Sequence, residues 1–392
     1  MLVFDSFLGT NYIGKEEEKA AVEVIRSQSL FRYDGPNLLR KTEQFENNVK
    51  EYIGVEHVIA CSSGAAALKM SCVALNIGYG DEVIMTAFTY IASAGAVLSC
   101  GAIPVFVDVD ESMNIDSNAI ESAITDRTKA IMAVHIQGMP CDMAEIMKIA
   151  KKHNLFVIED CAQAFGSTYK GKKVGTFGDA AAFSLQANKV ITSGEGGIFV
   201  CKSDDGYVRA KMYHDNGGLR SGDDYPTWEA PVCSFGENYK ITELQSAVAI
   251  EQLKKAPVII AKQKELFDYF MSKAEQSNFT FRKMIPETEC IHVSICILFD
   301  TVEKTETFID YVNQHGVVFE KYCDKVLPLF NTFKNCKSWH SSGYPYNLTD
   351  YKVNSCEKTE KLADSSVWMA LSPRLERADI DTIWDVLNAF QA

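Results

Sequence analysis

Between residues 57 and 201, short runs of β-branched and apolar residues alternate with stretches of helical periodicity. The runs fall at 57–61, 83–86, 103–109, 129–135, 155–161, 180–185 and 197–201, and helical patterns such as 65–75 and 143–153 separate several of them. Strands that are apolar on both faces and joined by helical crossovers build a mostly parallel sheet covered by helices on both sides. The last two runs lie too close together for a helical crossover, so that part of the sheet departs from the simple strand–helix–strand unit. The expected fold class is α/β, with a mostly parallel seven-stranded sheet in a large domain.

Past the sheet the texture changes. A long amphipathic helix starts near Thr242, and Pro257 is expected to kink or interrupt it before the pattern resumes to about residue 277. A strand at 290–299 and helices at 306–315 and 380–390 then suggest a smaller C-terminal α+β domain. The division expected is 1–250 and 251–392, with residues 1–20 packing on the small domain. Between 323 and 359 the chain is polar, aromatic and irregular, and loops of that length commonly carry function.

Composition excludes several classes. A net charge of −13 argues against nucleic acid, which needs a basic face. No run approaches the ~20 apolar residues of a membrane span, and the first residues lack a basic region followed by an apolar stretch. Twelve cysteines are scattered with no CxxC pair and no Cys/His spacing for a metal, as buried thiols of a reducing cytoplasm would be. The expectation is a cytoplasmic protein that binds no metal.

Three places can carry chemistry. The run 155–160 ends in Glu159 and Asp160, and ligands of open α/β sheets bind beyond the carboxyl ends of strands. Asp160 there either pairs with a protonated ring nitrogen, or caps a helix or joins a structural ion pair. Cys61-Ser62-Ser63-Gly64-Ala65 joins a strand to a helix, and the unpaired N–H groups of a first helical turn suit a phosphate. An ordinary serine cap is the other reading. Lys189 follows Gln186-Ala187-Asn188 between two strands, as a held reactive amine or as a solvated hairpin tip. Together, a phosphate seat, an aspartate at a strand end and a lysine on a later strand loop match the needs of pyridoxal 5′-phosphate. No P-loop and no well-placed GxGxxG supports a nucleotide or a nicotinamide dehydrogenase.

These residues resemble the DegT/DnrJ/StrS family of sugar aminotransferases, within the fold type I, aspartate aminotransferase-like enzymes. The resemblance covers nearly the whole chain. It enters at Gly35-Pro36 and Phe45-Glu46 and runs through Ser63-Gly64, Gly80-Asp81-Glu82-Val83-Ile84, Ala87-Phe88-Thr89-Tyr90 and 104–110. Its strongest motifs are Glu159-Asp160-Cys161-Ala162-Gln163-Ala164 and the lysine segment with Gly194-Glu195-Gly196-Gly197, followed by Asn238-Tyr239-Lys240. The resemblance implies that Lys189 is the Schiff-base lysine, that Asp160 meets the pyridine nitrogen and that Gln163 lies near the ring's phenolic oxygen. It also implies a phosphate held by Ser63, Gly64, Ala65 and Ser184, and Tyr90 stacked on the ring. Asn238 would reach the phosphate of a neighbouring subunit, giving a homodimer with shared active sites.

The chain also departs from the family pattern. Ala65 stands where a threonine is frequent, and Gln186-Ala187-Asn188 replaces His-Pro-Thr. Gln186 and the segment 30–35 look more like the branch acting on cyclitols and unusual sugars. The family's Tyr-Pro…His substrate motif is not clear after Glu320. The resemblance thus implies transfer from L-glutamate or L-glutamine to an oxo-sugar, a cyclitol ketone or a sugar acid such as a Kdo-type aldehyde precursor. The setting would be lipopolysaccharide or aminoglycoside-type biosynthesis. Arg32, Tyr33, Gln186, Trp339, His340 and Tyr344 are candidate substrate residues. A sugar dehydratase, an aromatizing aminohydroxybenzoate-type synthase and a non-catalytic cofactor-binding regulator are the rivals.

Overall fold

A computed structural model describes residues 7–390 apart from 276, 339, 349 and 350. Its centre is a seven-stranded sheet: β1 (His57–Cys61), β2 (Glu82–Thr86), β3 (Ile103–Val107), β4 (Thr128–Val134), β5 (Phe156–Asp160), β6 (Ala180–Ser184) and β7 (Gly197–Cys201). The spatial order is β1-β7-β6-β5-β4-β2-β3. β7 runs antiparallel to both β1 and β6, and every other pairing is parallel. The antiparallel partner is the strand whose spacing from β6 left no room for a crossover. All five residues of β2, of β3 and of β7 are buried, as expected of strands covered on both faces.

Helices α1 (Lys15–Ser27), α2 (Lys41–Ile53), α3 (Gly64–Ala74), α4 (Ile91–Ser99) and α5 (Met143–His153) cover the sheet and its flanks. α3 is built of small residues and lies close on β6 and β7. A Cβ at Gly197 would run into the Ser63 carbonyl, and one at Gly64 would come within 2.9 Å of Ser184 Cβ. On the other face Phe45, Val49 and Ile53 of α2 pack with Val58, Ala181 and Val200. Ile146, Ile149 and Ala150 of α5 pack with Ile84, Ile131 and Val157.

Helix α6 runs unbroken from Glu243 to Ala274, capped by Thr242 and Gln245. The interruption expected at Pro257 does not occur. Pro257 lies on the exposed face, where water can satisfy the carbonyl that the missing N–H leaves unpaired. Ala249, Leu253 and Ile259 of α6 belong to the core beneath the large sheet. Leu266 and Phe270 belong to a second core with the C-terminal elements. Those elements are an antiparallel sheet of β8 (Thr280–Phe281), β9 (Ser294–Leu298) and β10 (Ser366–Ala370), with helices Val302–Gln314 and Arg377–Ala389. The described residues of segment 323–356 are largely irregular, as its composition predicts. Residues 9–12 lie against the Lys189 loop: Gly9 N donates to Lys189 O at 2.8 Å and Thr10 Oγ1 to Ala187 O at 2.6 Å.

All twelve cysteines are free thiols, most of them buried. Among the described residues no helix is long and apolar enough to cross a membrane.

Candidate active site

A cavity of about 900 Å³ opens at the carboxyl ends of the strands, with its far wall supplied by the C-terminal sheet. The strand ends deliver the first wall. β1 leads through Ser63 into α3, β2 leads through Thr89 and Tyr90 into α4, β5 ends at Asp160, and β6 ends at Ser184 before the Lys189 loop. Ser294, Glu320, Tyr322, Lys325 and Trp368 stand opposite.

Asp160 is 4 % exposed. Its Oδ2 accepts the Ser93 hydroxyl at 2.8 Å and its Oδ1 accepts the Ala162 N–H at 3.1 Å. Among the described residues it forms no ion pair, so the structural ion-pair reading fails. Burial raises its pKa, and the two hydrogen bonds offset that only in part. Such a carboxylate is held ready for a cation that is not part of the chain.

Glu159, the preceding residue, serves the scaffold. Its carboxylate accepts the N–H groups of Gly175, Phe177 and Gly178 at 2.7–2.8 Å and meets His135 Nε2 at 3.2 Å. His135 Nδ1 accepts the Cys141 N–H, so Nε2 carries the proton and donates to Glu159. His135, Glu159 and Cys161 bring ligand-type atoms within 4.8 Å of one another. The Glu159 oxygens are already committed to these donors.

Lys189 lines the cavity rather than a solvated hairpin tip. Its backbone N–H donates to Gln186 O at 2.9 Å, and the loop folds back through Ser193 N to Leu185 O and a Gln186–Gly194 bridge. Burial lowers the amine's pKa, and the Asp160 charge opposes that shift. The neutral, nucleophilic amine is therefore favoured compared with an exposed lysine.

Ser63 caps α3, its Oγ accepting the Ala66 N–H at 3.1 Å. The cap leaves the other first-turn N–H groups without a partner within the helix, and Gly64 and Ala65 line the cavity, so the turn can also receive an anion. Gln163 Oε1 accepts the Gln137 N–H at 3.0 Å, while its Nε2 donates to the Tyr322 hydroxyl at 3.1 Å. Tyr90, 67 % exposed, stands at the cavity mouth.

A model of the DegT/DnrJ/EryC1/StrS aminotransferase family matches residues 11–388. The chain belongs to that family. It is 43 % identical over 231 residues to a GDP-perosamine synthase of Caulobacter vibrioides, covering 59 % of this chain and 61 % of that protein. The chain thus spans less than two thirds of that relative's length. It is 33 % identical over 297 residues to an L-glutamine:2-deoxy-scyllo-inosose aminotransferase of Streptomyces lividus, covering 70 % of each. The fold superimposes on the aminotransferase from Psychrobacter cryohalolentis with a TM-score of 0.84 at 29 % identity, covering 96 % of both chains.

The family's cofactor is pyridoxal 5′-phosphate, and the cavity fits it. Asn188 Oδ1 and Ser294 Oγ line the cavity as buried polar atoms without a hydrogen-bond partner. A side chain at Gly64 would crowd the phosphate seat against Ser184. Asp160 offers an anion and Lys189 an amine, and among the described residues neither forms an ion pair.

The structure gathers Ser63, Gly64, Ala65, Tyr90, Asp160, Gln163, Ser184, Gln186 and Lys189 around this cavity. The remaining candidates lie elsewhere in the single chain. Asn238 is exposed and bridges to Asp215. Arg32 is bound to Glu46 at 3.0 Å, and Tyr33 lies under the Arg220 guanidinium, 4.0 Å from ring centre to Cζ. His340 is exposed beside Ser342, and Tyr344 packs against Tyr79 and Gly101. Trp339 lies outside the described residues. Sequence reasoning missed Ser93, Gln137, Tyr322 and Trp368. Ser93 sits in the first turn after Tyr90, a local signal. Tyr322 and Trp368 arrive only through tertiary contact.

Proposed function

We propose that the protein is a pyridoxal phosphate-dependent aminotransferase of amino-sugar biosynthesis, acting in the cytoplasm as a homodimer with shared active sites. It takes an amino group from L-glutamate or L-glutamine and places it on the carbonyl of an oxo-sugar, sugar acid or cyclitol. One observation carries this reading: Lys189 and Asp160 share a cavity, both withdrawn from water and, among the described residues, neither in an ion pair.

When bound, the cofactor supplies an aldehyde that condenses with amines and a ring that draws off electrons. Asp160, steadied by the Ser93 hydroxyl, keeps a proton on the ring nitrogen. Lys189 Nζ would be the amine that engages the aldehyde, and once free it would be the base and acid that moves a proton from the donor's nitrogen-bearing carbon. Burial favours the neutral Nζ that both tasks require. The Ser63–Ala65 turn and Ser184 would seat the phosphate, with Gln163 near the ring oxygen and Tyr90 stacked on the ring. Asn238, exposed in one chain, reaches the phosphate in the partner's site. Domains 1–250 and 251–392 enclose the reacting groups and exclude water.

The two relatives bracket the acceptor, one being named for a GDP-linked amino sugar and the other for an inosose. Purified protein loaded with cofactor, L-glutamate and each candidate acceptor should release 2-oxoglutarate one-for-one with aminated product. Sugar conversion without a keto acid would mean a dehydratase. Bound cofactor with no conversion of any acceptor would mean a regulator.

A further inference from the structure

The two ends of the Gln163 amide are told apart by their neighbours. Oε1 accepts the backbone N–H of Gln137 at 3.0 Å, and a backbone N–H can only donate. That donor is itself held in place. Asn114 Oδ1 accepts the Ile136 N–H at 3.0 Å on one side of it, and Ser167 Oγ donates to the Gly138 carbonyl at 2.7 Å on the other. With Oε1 so engaged, Nε2 has two hydrogens to place. One goes to the Tyr322 hydroxyl oxygen at 3.1 Å. Among the described residues the second has no partner, and Gln163 lines the reaction cavity.

Tyr322 is placed for this contact from three directions. Its ring lies 4.7 Å from that of Phe88, which follows β2, and 5.6 Å from that of Trp368 in β10. Glu320, two residues earlier, exchanges both backbone hydrogen bonds with Trp368, at 3.0 and 2.8 Å. The hydroxyl reaches both ends of the amide, because its own hydrogen can turn to Gln163 Oε1, 3.3 Å away. Packing between Phe88 and Trp368 needs only the ring, whereas the hydroxyl serves the amide. Burial raises the phenol's pKa, which keeps it a neutral O–H. Asp160 and Cys323 are the titratable groups that act on it, and burial pushes the Cys323 thiol up to about 11.

We propose that Tyr322 is a positioning residue whose hydroxyl holds the Gln163 amide so that its remaining Nε2 hydrogen faces the ring oxygen of the cofactor. The inference rests on the aminotransferase reading and adds to it a residue that touches no reacting atom. A donor to the ring oxygen favours the anionic form of that oxygen. It therefore lowers the pH at which the bound cofactor loses a proton and changes its absorption, and losing the donor raises that pH. The test follows absorption against pH in cofactor-loaded wild type, Tyr322→Phe, Gln163→Ala and the double variant. Phenylalanine keeps the ring between Phe88 and Trp368. The variant Tyr322→Phe should raise the midpoint by about 0.5 to 1 pH unit, the range of one hydrogen bond. Gln163→Ala should raise it at least as far, and adding Tyr322→Phe to Gln163→Ala should change nothing more. An unchanged midpoint in Tyr322→Phe, or the same shift with and without Gln163, would overturn the proposal and leave the aminotransferase reading standing. A wild-type protein whose bound cofactor borohydride does not trap on Lys189 would overturn both.

Discussion

The two walls of the cavity are built differently. Asp160 is laddered on both sides, to Val134 and Ala182, Ser184 is paired with Gly197, and Ser63 is fixed as the cap of α3 just beyond β1. Opposite them, Glu320, Tyr322 and Lys325 come from an irregular stretch that joins β10 through the Glu320–Trp368 bridge. Groups that must meet a cofactor with small positional error belong on the first kind of wall. Loop residues can change with little cost to the core, and they suit the work of choosing an acceptor.

If the walls divide the work in this way, substitutions on them should differ in size and in kind. The largest effect belongs to Lys189→Ala, which should lower turnover by about 10⁴-fold, the upper range for a positioned acid–base group. Cofactor should still bind through the phosphate seat. Steady-state kinetics with any competent acceptor checks this, and a variant with wild-type turnover would remove Lys189 from the chemistry.

Asp160→Asn comes next, with a loss of about 100-fold, the scale of a charge-assisted hydrogen bond to the ring. It carries a second signature in the apoprotein. The folded pKa of Asp160 lies above its unfolded value. Its ionised form therefore costs stability, and the cost appears as pH rises through the folded pKa and is absent below the unfolded one. Asparagine avoids this cost, so the variant's apoprotein Tm should exceed the wild type's by a margin that grows with pH. Removing the carboxylate that opposes the Lys189 shift should also lower the amine's pKa further. Labelling of Lys189 by an amine-reactive aldehyde should then begin at lower pH in Asp160→Asn than in wild type. An unchanged labelling midpoint would mean that the two groups do not sense one another.

The smallest effect is expected across the cavity. Lys325 is exposed at the mouth and makes no ion pair among the described residues. Lys325→Ala should change the acceptor KM by about 2- to 5-fold, within the range of an exposed charge contact. It should leave the rate of the donor half of the reaction alone. Equal losses in both halves would dissolve the distinction between the walls.

The same contrast explains what was legible in the amino-acid sequence. All seven strands of the large sheet are visible as apolar runs, and Asp160, Ser63 and Lys189 follow from where those runs stop. Local chemistry also announces α6 through Thr242 and Gln245, while Pro257 misleads because its exposed position is a tertiary fact. Tyr322 and Trp368 lie more than 130 residues from Lys189 in the chain, and no local pattern ties them to it. Arg32 and Tyr33 are candidate substrate residues in the sequence. Folding commits Arg32 to Glu46, and Tyr33 is buried between two guanidinium groups.

The central claim is that Lys189 is the amine that engages the cofactor. The direct measurement is to load the protein with pyridoxal 5′-phosphate, reduce it with borohydride, and map the covalent pyridoxyl label by peptide mass spectrometry. The account predicts one labelled residue, Lys189, with the label reduced when L-glutamate is added before borohydride. A label on another lysine, or none on a protein that has bound the cofactor, would contradict it.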